Sequence, residues 1–408
     1  MNTERGGFTA GWRSWWPELG GAALVLLLVL YPTSGLKSAV VWLGLFGSIM
    51  LARRNGRPWN AGGMGALLIG YGLVVAVTSW FSIDPSFSFR QVMKLVENMA
   101  AFLVVVNLAA ATGGADRALR WFAMAMSAVA GLDTVRLIRD LAAGSDLLRD
   151  DRWFGSLLGY PTIAAAGYGV ALMIMMAPLL HSRTWGSRLG VFGVMAVMLV
   201  ILYFLQTRSV VLGLLIGAIV FIALAPVDAI RQAAVLGGVA AVLGALLLIP
   251  GAFRERLLSG GSPERAAIGR DAERLVREGV EREPFREWVG FGYGHKIFEK
   301  LHKTLPRRER EASRVYDHAH NLLTETKVQS GAIGLLALGG MATAALFAAW
   351  RGFPPRTRRE ERMNAAVVSG ALAVVLVYAQ FSLFYAYLPA LLFWALFGLW
   401  TTVAARPR

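Results

Sequence analysis

The chain has 408 residues, 56% of them hydrophobic, a formal net charge of +15 and no cysteine. Apolar runs near twenty residues long, the length that spans ~30 Å of hydrocarbon, recur throughout and exclude a soluble globular protein. The lack of cysteine excludes disulfides, thiol nucleophiles and cysteine metal sites, and most of the basic residues fall in short loops, where they report membrane orientation and not affinity for nucleic acid.

In chain order the sequence predicts an all-α, polytopic protein of about twelve spans, at 18–32, 35–51, 62–80, 91–110, 118–137, 160–180, 187–206, 209–225, 232–250, 322–350, 364–385 and 388–404. The first run, from Leu19, is followed by no convincing small-residue cleavage site and reads as a retained helix. With the N-terminus cytoplasmic, every inside loop carries arginine, among them Arg53 to Arg57, Arg117 to Arg120, Arg183 to Arg188 and Arg351 to Arg362. Both termini are therefore expected inside. Three parts follow: helices 1–9 within 1–250, one large periplasmic loop with amphipathic helices at 251–320, and helices 10–12 within 321–408. The many arginines of the long loop do not oppose this orientation, because long loops translocate largely regardless of charge.

Several polar clusters interrupt the apolar pattern. Arg90 and Lys94, four residues apart after Ser82-Ile-Asp-Pro-Ser86, share one helix face and are candidates for phosphate oxygens of a lipid-linked substrate, or are plain interfacial cations. Glu97 is expected to pair with Lys94, and Asp133 with Arg136 and Arg139. Gln206-Thr-Arg208-Ser209 leaves Arg208 at or just beneath the outer boundary, where it either snorkels to headgroups or faces a partner. Ile268, Ala272, Leu275, Val276 and Val280 form one helical stripe, which lies on the outer membrane face or packs on the loop itself. Pro284 with Gly290, Gly292 and Gly294 reads as a turn that needs glycine dihedrals and not as a phosphate loop.

Tyr316-Asp-His-Ala-His-Asn321 closes the long hydrophilic stretch, and His320-Asn321 is followed by nine residues and then Gly331-Ala-Ile-Gly334. A neutral imidazole at a water–lipid boundary suits proton transfer near pH 7. Capping of the next helix is the plain alternative.

This spacing resembles the signature of the O-antigen ligase superfamily, which includes O-antigen ligases, O-antigen polymerases and protein O-oligosaccharyltransferases. Thr207-Arg208 resembles the family's Ser/Thr-Arg pair at the outer end of a middle helix, and the Pro284 to Gly294 stretch resembles its Pro–Gly segment. Of two candidates for the family's loop arginine, Arg265 is preferred to Arg270 because Glu264-Arg265 matches a Glu-Arg pair. Gly269, however, stands where an aromatic is usual.

The resemblance implies a GT-C-like glycosyltransferase of the bacterial inner membrane, active on the periplasmic side and closest to O-antigen ligase. Its donor would be undecaprenyl-pyrophosphate-linked O-antigen and its acceptor lipid A–core oligosaccharide. His320 would activate the acceptor hydroxyl, and Arg208 and Arg265 would hold the diphosphate. Arg270, Asn321, His318, Arg90 and Lys94 would contact substrate, and no metal or other cofactor is implied. An O-antigen polymerase is the alternative within the superfamily. A secondary transporter, the alternative outside it, would depend on midplane residues such as Glu97 or Gln380.

Overall fold

A computed structural model of the chain describes residues 35–54, 64–111, 115–145, 153–182, 184–228, 263–355, 358–381 and 387–403, with scattered positions at 19, 21–26, 28, 30, 232 and 237–238. The spans expected at 18–32 and 232–250 lie largely outside the described residues. All regular structure within them is helical: α1 (Gly35–Arg54), α2 (Gly65–Trp80), α3 (Pro85–Ala111), α4 (Ala115–Ala142), α5 (Pro161–His181), α6 (Trp185–Leu205), α7 (Arg208–Leu224), α8 (Pro263–Arg282), α9 (Arg286–Val289), α10 (His295–Thr304), α11 (Leu322–Gly352), α12 (Arg359–Ala379) and α13 (Tyr387–Val403).

Among the described residues, α3 to α6, α11 and α12 are long and apolar enough to cross a membrane, and α1, α2, α7 and α13 contain shorter apolar helices. The protein is a helical membrane protein. Some helices outrun their expected spans. α3 starts at Pro85 instead of residue 91 because proline suits the first helical turn, and Asp84 Oδ1 accepts the Phe87 N–H at 2.9 Å.

The bundle core is apolar, and its closest helix pair is α7 with α12. A Cβ on Gly217 would lie 2.7 Å from the Gly370 carbonyl oxygen, and one on Gly213 3.1 Å from that of Val374. Small residues thus let two backbones touch, the usual means of helix association in lipid. One consequence is positional: Arg208, first residue of α7, comes level with Tyr378 near the end of α12.

Two expected pairings are corrected. Glu97 pairs with Lys37 of α1 at 3.3 Å and accepts from Ser38 Oγ at 2.9 Å, not with Lys94. A carboxylate buried between helices costs several kcal/mol unless paired there, so the partner comes from across the interface. Asp133 is fully buried and accepts from Ser156 Oγ (2.6 Å), Tyr168 Oη (2.6 Å) and Leu157 N (2.8 Å). Arg136 donates to the Gly155 carbonyl, and Arg139 pairs with Asp140.

The stripe on α8 is resolved in favour of the loop. Ile268, Ala272, Leu275 and Val276 are buried against Phe291, Ile297, Phe298 and Leu301, so residues 263–321 have an apolar core of their own beside the bundle.

Candidate functional site

The run expected as one straight span at 322–350 is bent. Gly331 has φ 60° and ψ −156°, a region open essentially to glycine alone. The bend leaves Leu322–Ser330 as a separate helical segment and frees carbonyls that would otherwise pair one turn on. Phe291 N–H donates to the Val328 carbonyl at 2.8 Å, and Gly292 N–H to that of Gln329 at 2.9 Å. Gly292 presents its N–H from φ 118°, packed against the Ser82 side chain, and Ile83 N–H donates to the Phe291 carbonyl at 2.9 Å. The glycine stretch is thus a backbone clamp on the bent helix, and Arg286 adds bonds to the Phe81 and Gly290 carbonyls.

The outer segment begins at its cap. Asn321 Oδ1 accepts from Leu323 N (2.9 Å) and Thr324 N (3.0 Å), so its amide oxygen caps the helix. One turn in, buried Glu325 accepts from Ala319 N and Gln329 Nε2, both at 2.6 Å. Ala319 separates the two histidines, and this bond holds them: their ring centroids lie 3.8 Å apart. His318 Nδ1 is 2.6 Å from Asp317 Oδ1. His320 has φ 53°, and its Nδ1 is buried without a hydrogen-bond partner.

A second set of side chains ties this loop to α8 and α10. Asp271 accepts from Glu311 N (3.0 Å), Ala312 N (2.9 Å) and His302 Nε2 (3.1 Å), and His302 Nδ1 accepts from Tyr316 N at 3.1 Å. Glu264 accepts from both N and Oγ of Ser313 at 2.7 Å. The Tyr316 ring then meets that of His320 edge-on at 5.8 Å.

Arg208, Arg265 and His320 share one electrostatic neighbourhood. Burial, then the charge of Arg208, lowers the pKa of Arg265, with Tyr378 opposing. Burial, then the charges of His318 and Arg265, pushes His320 down to about 3. These three residues come from the starts of α7, α8 and α11, and helix N-termini favour anions. Arg270 is not with them. It points outward to Glu311 at 2.5 Å, both side chains more than half exposed. Arg90 is exposed and donates to the Ser86 carbonyl of its own helix at 3.3 Å. The charge of Lys94 reaches His295, whose pKa is lowered by burial first, with Asp317 opposing.

Residues 193–339 match a family model, from α6 into α11. The match takes in Arg208, Arg265, the glycine clamp and the whole His320-to-Gly334 motif. The model these residues match is described as O-antigen ligase. No curated protein matches the chain. The O-antigen ligase family covers ligases and polymerases, membrane enzymes of glycosyltransferase type.

Within the matched residues, sequence reasoning passed over Glu325, Gln329, Asp271, His302 and Gln206. Asp271 had a signal, since it sits on the apolar stripe of α8, where an unpaired acid is costly. Gln206 is buried, and its Oε1 has no hydrogen-bond partner. Among the described residues it is the one other non-glycine besides His320 with positive φ (48°). Backbone strain of this kind gathers at functional sites, and both residues flank the arginine pair in sequence or space.

Proposed function

We propose that the chain is an O-antigen ligase, moving O-antigen from undecaprenyl diphosphate to lipid A–core oligosaccharide on the periplasmic side of the bacterial inner membrane. The observation that carries this reading is that the charges of Arg208 and Arg265 act on one another beside a histidine pair. Two guanidinium groups whose charges oppose one another are suited to a bound anion, and a diphosphate diester is a dianion, gaining a further negative charge as it leaves, that planar, two-donor contacts recognise. Stabilising that leaving group with fixed arginines needs no metal. The acceptor hydroxyl enters at the histidines, and its proton passes to an imidazole as the new glycosidic bond forms.

The test is transfer by the purified protein from lipid-linked glycan, offered either lipid A–core or a second lipid-linked glycan. Product on lipid A–core, undiminished by EDTA, is expected. Chain lengthening on the second glycan alone would make the protein a polymerase, and activity that dies with EDTA and returns with Mg²⁺ would remove the arginine mechanism. Orientation has its own check: a cysteine placed at Lys303 should react with a membrane-impermeant thiol reagent in intact spheroplasts, and protection there would reverse the topology.

A further inference from the structure

The two adjoining histidines have unlike surroundings. His318 has an anion as its partner, with Asp317 Oδ1 2.6 Å from Nδ1. An ionised carboxylate only accepts, so the proton of the neutral ring sits on Nδ1, and Nε2 holds a lone pair. Asp317 remains ionised wherever imidazole titrates, because the His318 ring N–H, against the effect of burial, holds its carboxyl down to about 2.

His320 has the reverse. Its Nδ1 is buried without a partner. Burial first, then the charges of His318, Arg265 and Arg314, disfavours its protonated form, with Asp317 alone in opposition. A ring that accepts a proton becomes a cation, and only His318 has a carboxylate in contact to balance it.

We propose that His318 is the proton acceptor of the transfer reaction, oriented by Asp317, and that neutral His320 contacts the substrate beside the arginines. This assignment rests on the glycosyl-transfer reading above, and it exchanges the roles that the sequence motif implied. In the step itself, the acceptor hydroxyl gives its proton to His318 Nε2 while its oxygen bonds to the anomeric carbon. The bond from that carbon to the phosphate oxygen breaks, and its electron pair leaves with the polyprenyl diphosphate at Arg208 and Arg265. The proton on His318 then passes to water. The His318 side chain is 13% exposed, open enough for that exchange.

The other charged or titratable groups facing His318 are Glu325 of α11, His295 of α10 with Lys94 and Lys296 behind it, and His320 with Arg265 and Arg314.

The experiment is the pH dependence of kcat/KM, with fluorescent undecaprenyl-diphosphate glycan as donor and lipid A–core as acceptor, for wild type, Asp317→Asn, His318→Gln and His320→Gln. Melting temperature and donor binding are measured on each. A general base works when unprotonated, so wild-type activity should fall as pH drops through the base's pKa. Asp317→Asn is a mild change at a half-exposed side chain. It removes the anion that favours imidazolium, so the acid limb should move to lower pH and the plateau should drop. His318→Gln should lose roughly 10²-fold or more at the plateau and lack the limb, with donor binding kept. His320→Gln should keep the limb and raise KM. A wild-type plateau in His318→Gln, an unmoved limb in Asp317→Asn, or loss of the limb in His320→Gln would each overturn the assignment while leaving glycosyl transfer standing. Wild-type protein that transfers nothing to either acceptor would instead overturn the reading of function, and the assignment with it.

Discussion

α7 and α12 in the bundle meet backbone against backbone, whereas residues 311–320 outside it reach α8 and α10 through side-chain acceptors. Lipid offers no water to an unpaired N–H, so the bundle uses segments whose backbone is satisfied internally and gains cohesion from close packing at Gly213, Gly217 and Gly370. The outer subdomain leaves its chain irregular and satisfies it residue by residue, with Asp271, Glu264, His302 and Glu325 each accepting a backbone N–H. Arg208 belongs to the first system, and Arg265 and the histidines to the second. The candidate site is therefore a joint, and its geometry depends on both kinds of cohesion at once.

The comparison can be broken most sharply at the joint. Arg265→Ala should lower transfer by about 10²–10³-fold, the usual cost of removing a fixed stabiliser of developing charge. Arg208→Lys should fail comparably, because an ammonium cannot reproduce a planar two-donor contact. Rates at matched membrane levels decide it, and wild-type activity of either variant would return that arginine to a headgroup role.

Within the bundle, Gly217→Leu drives a side chain at the Gly370 carbonyl. A loss of about 1–3 kcal/mol is expected, as for overpacking generally, visible as a lower Tm in detergent. An unchanged Tm would mean that the two backbones are not in contact. Within the subdomain, Asn321→Ala removes both cap bonds and should cost about 1 kcal/mol. Its transfer rate should fall less than that of Arg265→Ala. If it falls as far, Asn321 acts on substrate as well as on the helix.

The smallest effect is expected at Arg270→Ala, which loses an exposed ion pair to Glu311 and should change stability by at most about 1 kcal/mol. Its transfer should match wild type. A deficit like that of Arg265→Ala would erase the distinction between the inner and outer sides of α8.

Arg208, Arg265 and His320 were legible because each stands at the edge of an apolar run or in a short motif, where a charge or an imidazole is conspicuous. Glu325 and the bend at Gly331 were not. Both fall inside a stretch whose hydropathy reads as one straight span, and a glycine within a helical pattern is compatible with an unbroken helix. Partners of buried charges were misread for a related reason. Along a helix the nearest candidate for Glu97 is Lys94, but the side chains that reach it, Lys37 and Ser38, lie about sixty positions away, with Ser38 at a separation of 59. The unlike surroundings of the two histidines were equally hidden, since a motif records identity and spacing, while the contrast between His318 and His320 arises from Asp317, Arg265 and burial.

The nine residues between Asn321 and Gly331 act as a ruler. At about 1.5 Å per residue they set the histidines roughly 13 Å beyond the bend, and at 3.6 residues per turn each added residue would rotate them by about 100°. The arginines ride on other helices and would not follow. One alanine inserted between Lys327 and Val328 should therefore abolish transfer while leaving every side chain of the site in the protein, and a compensating deletion in the same segment should restore it. Distance from the bend and bearing toward the arginines are thus written in one integer.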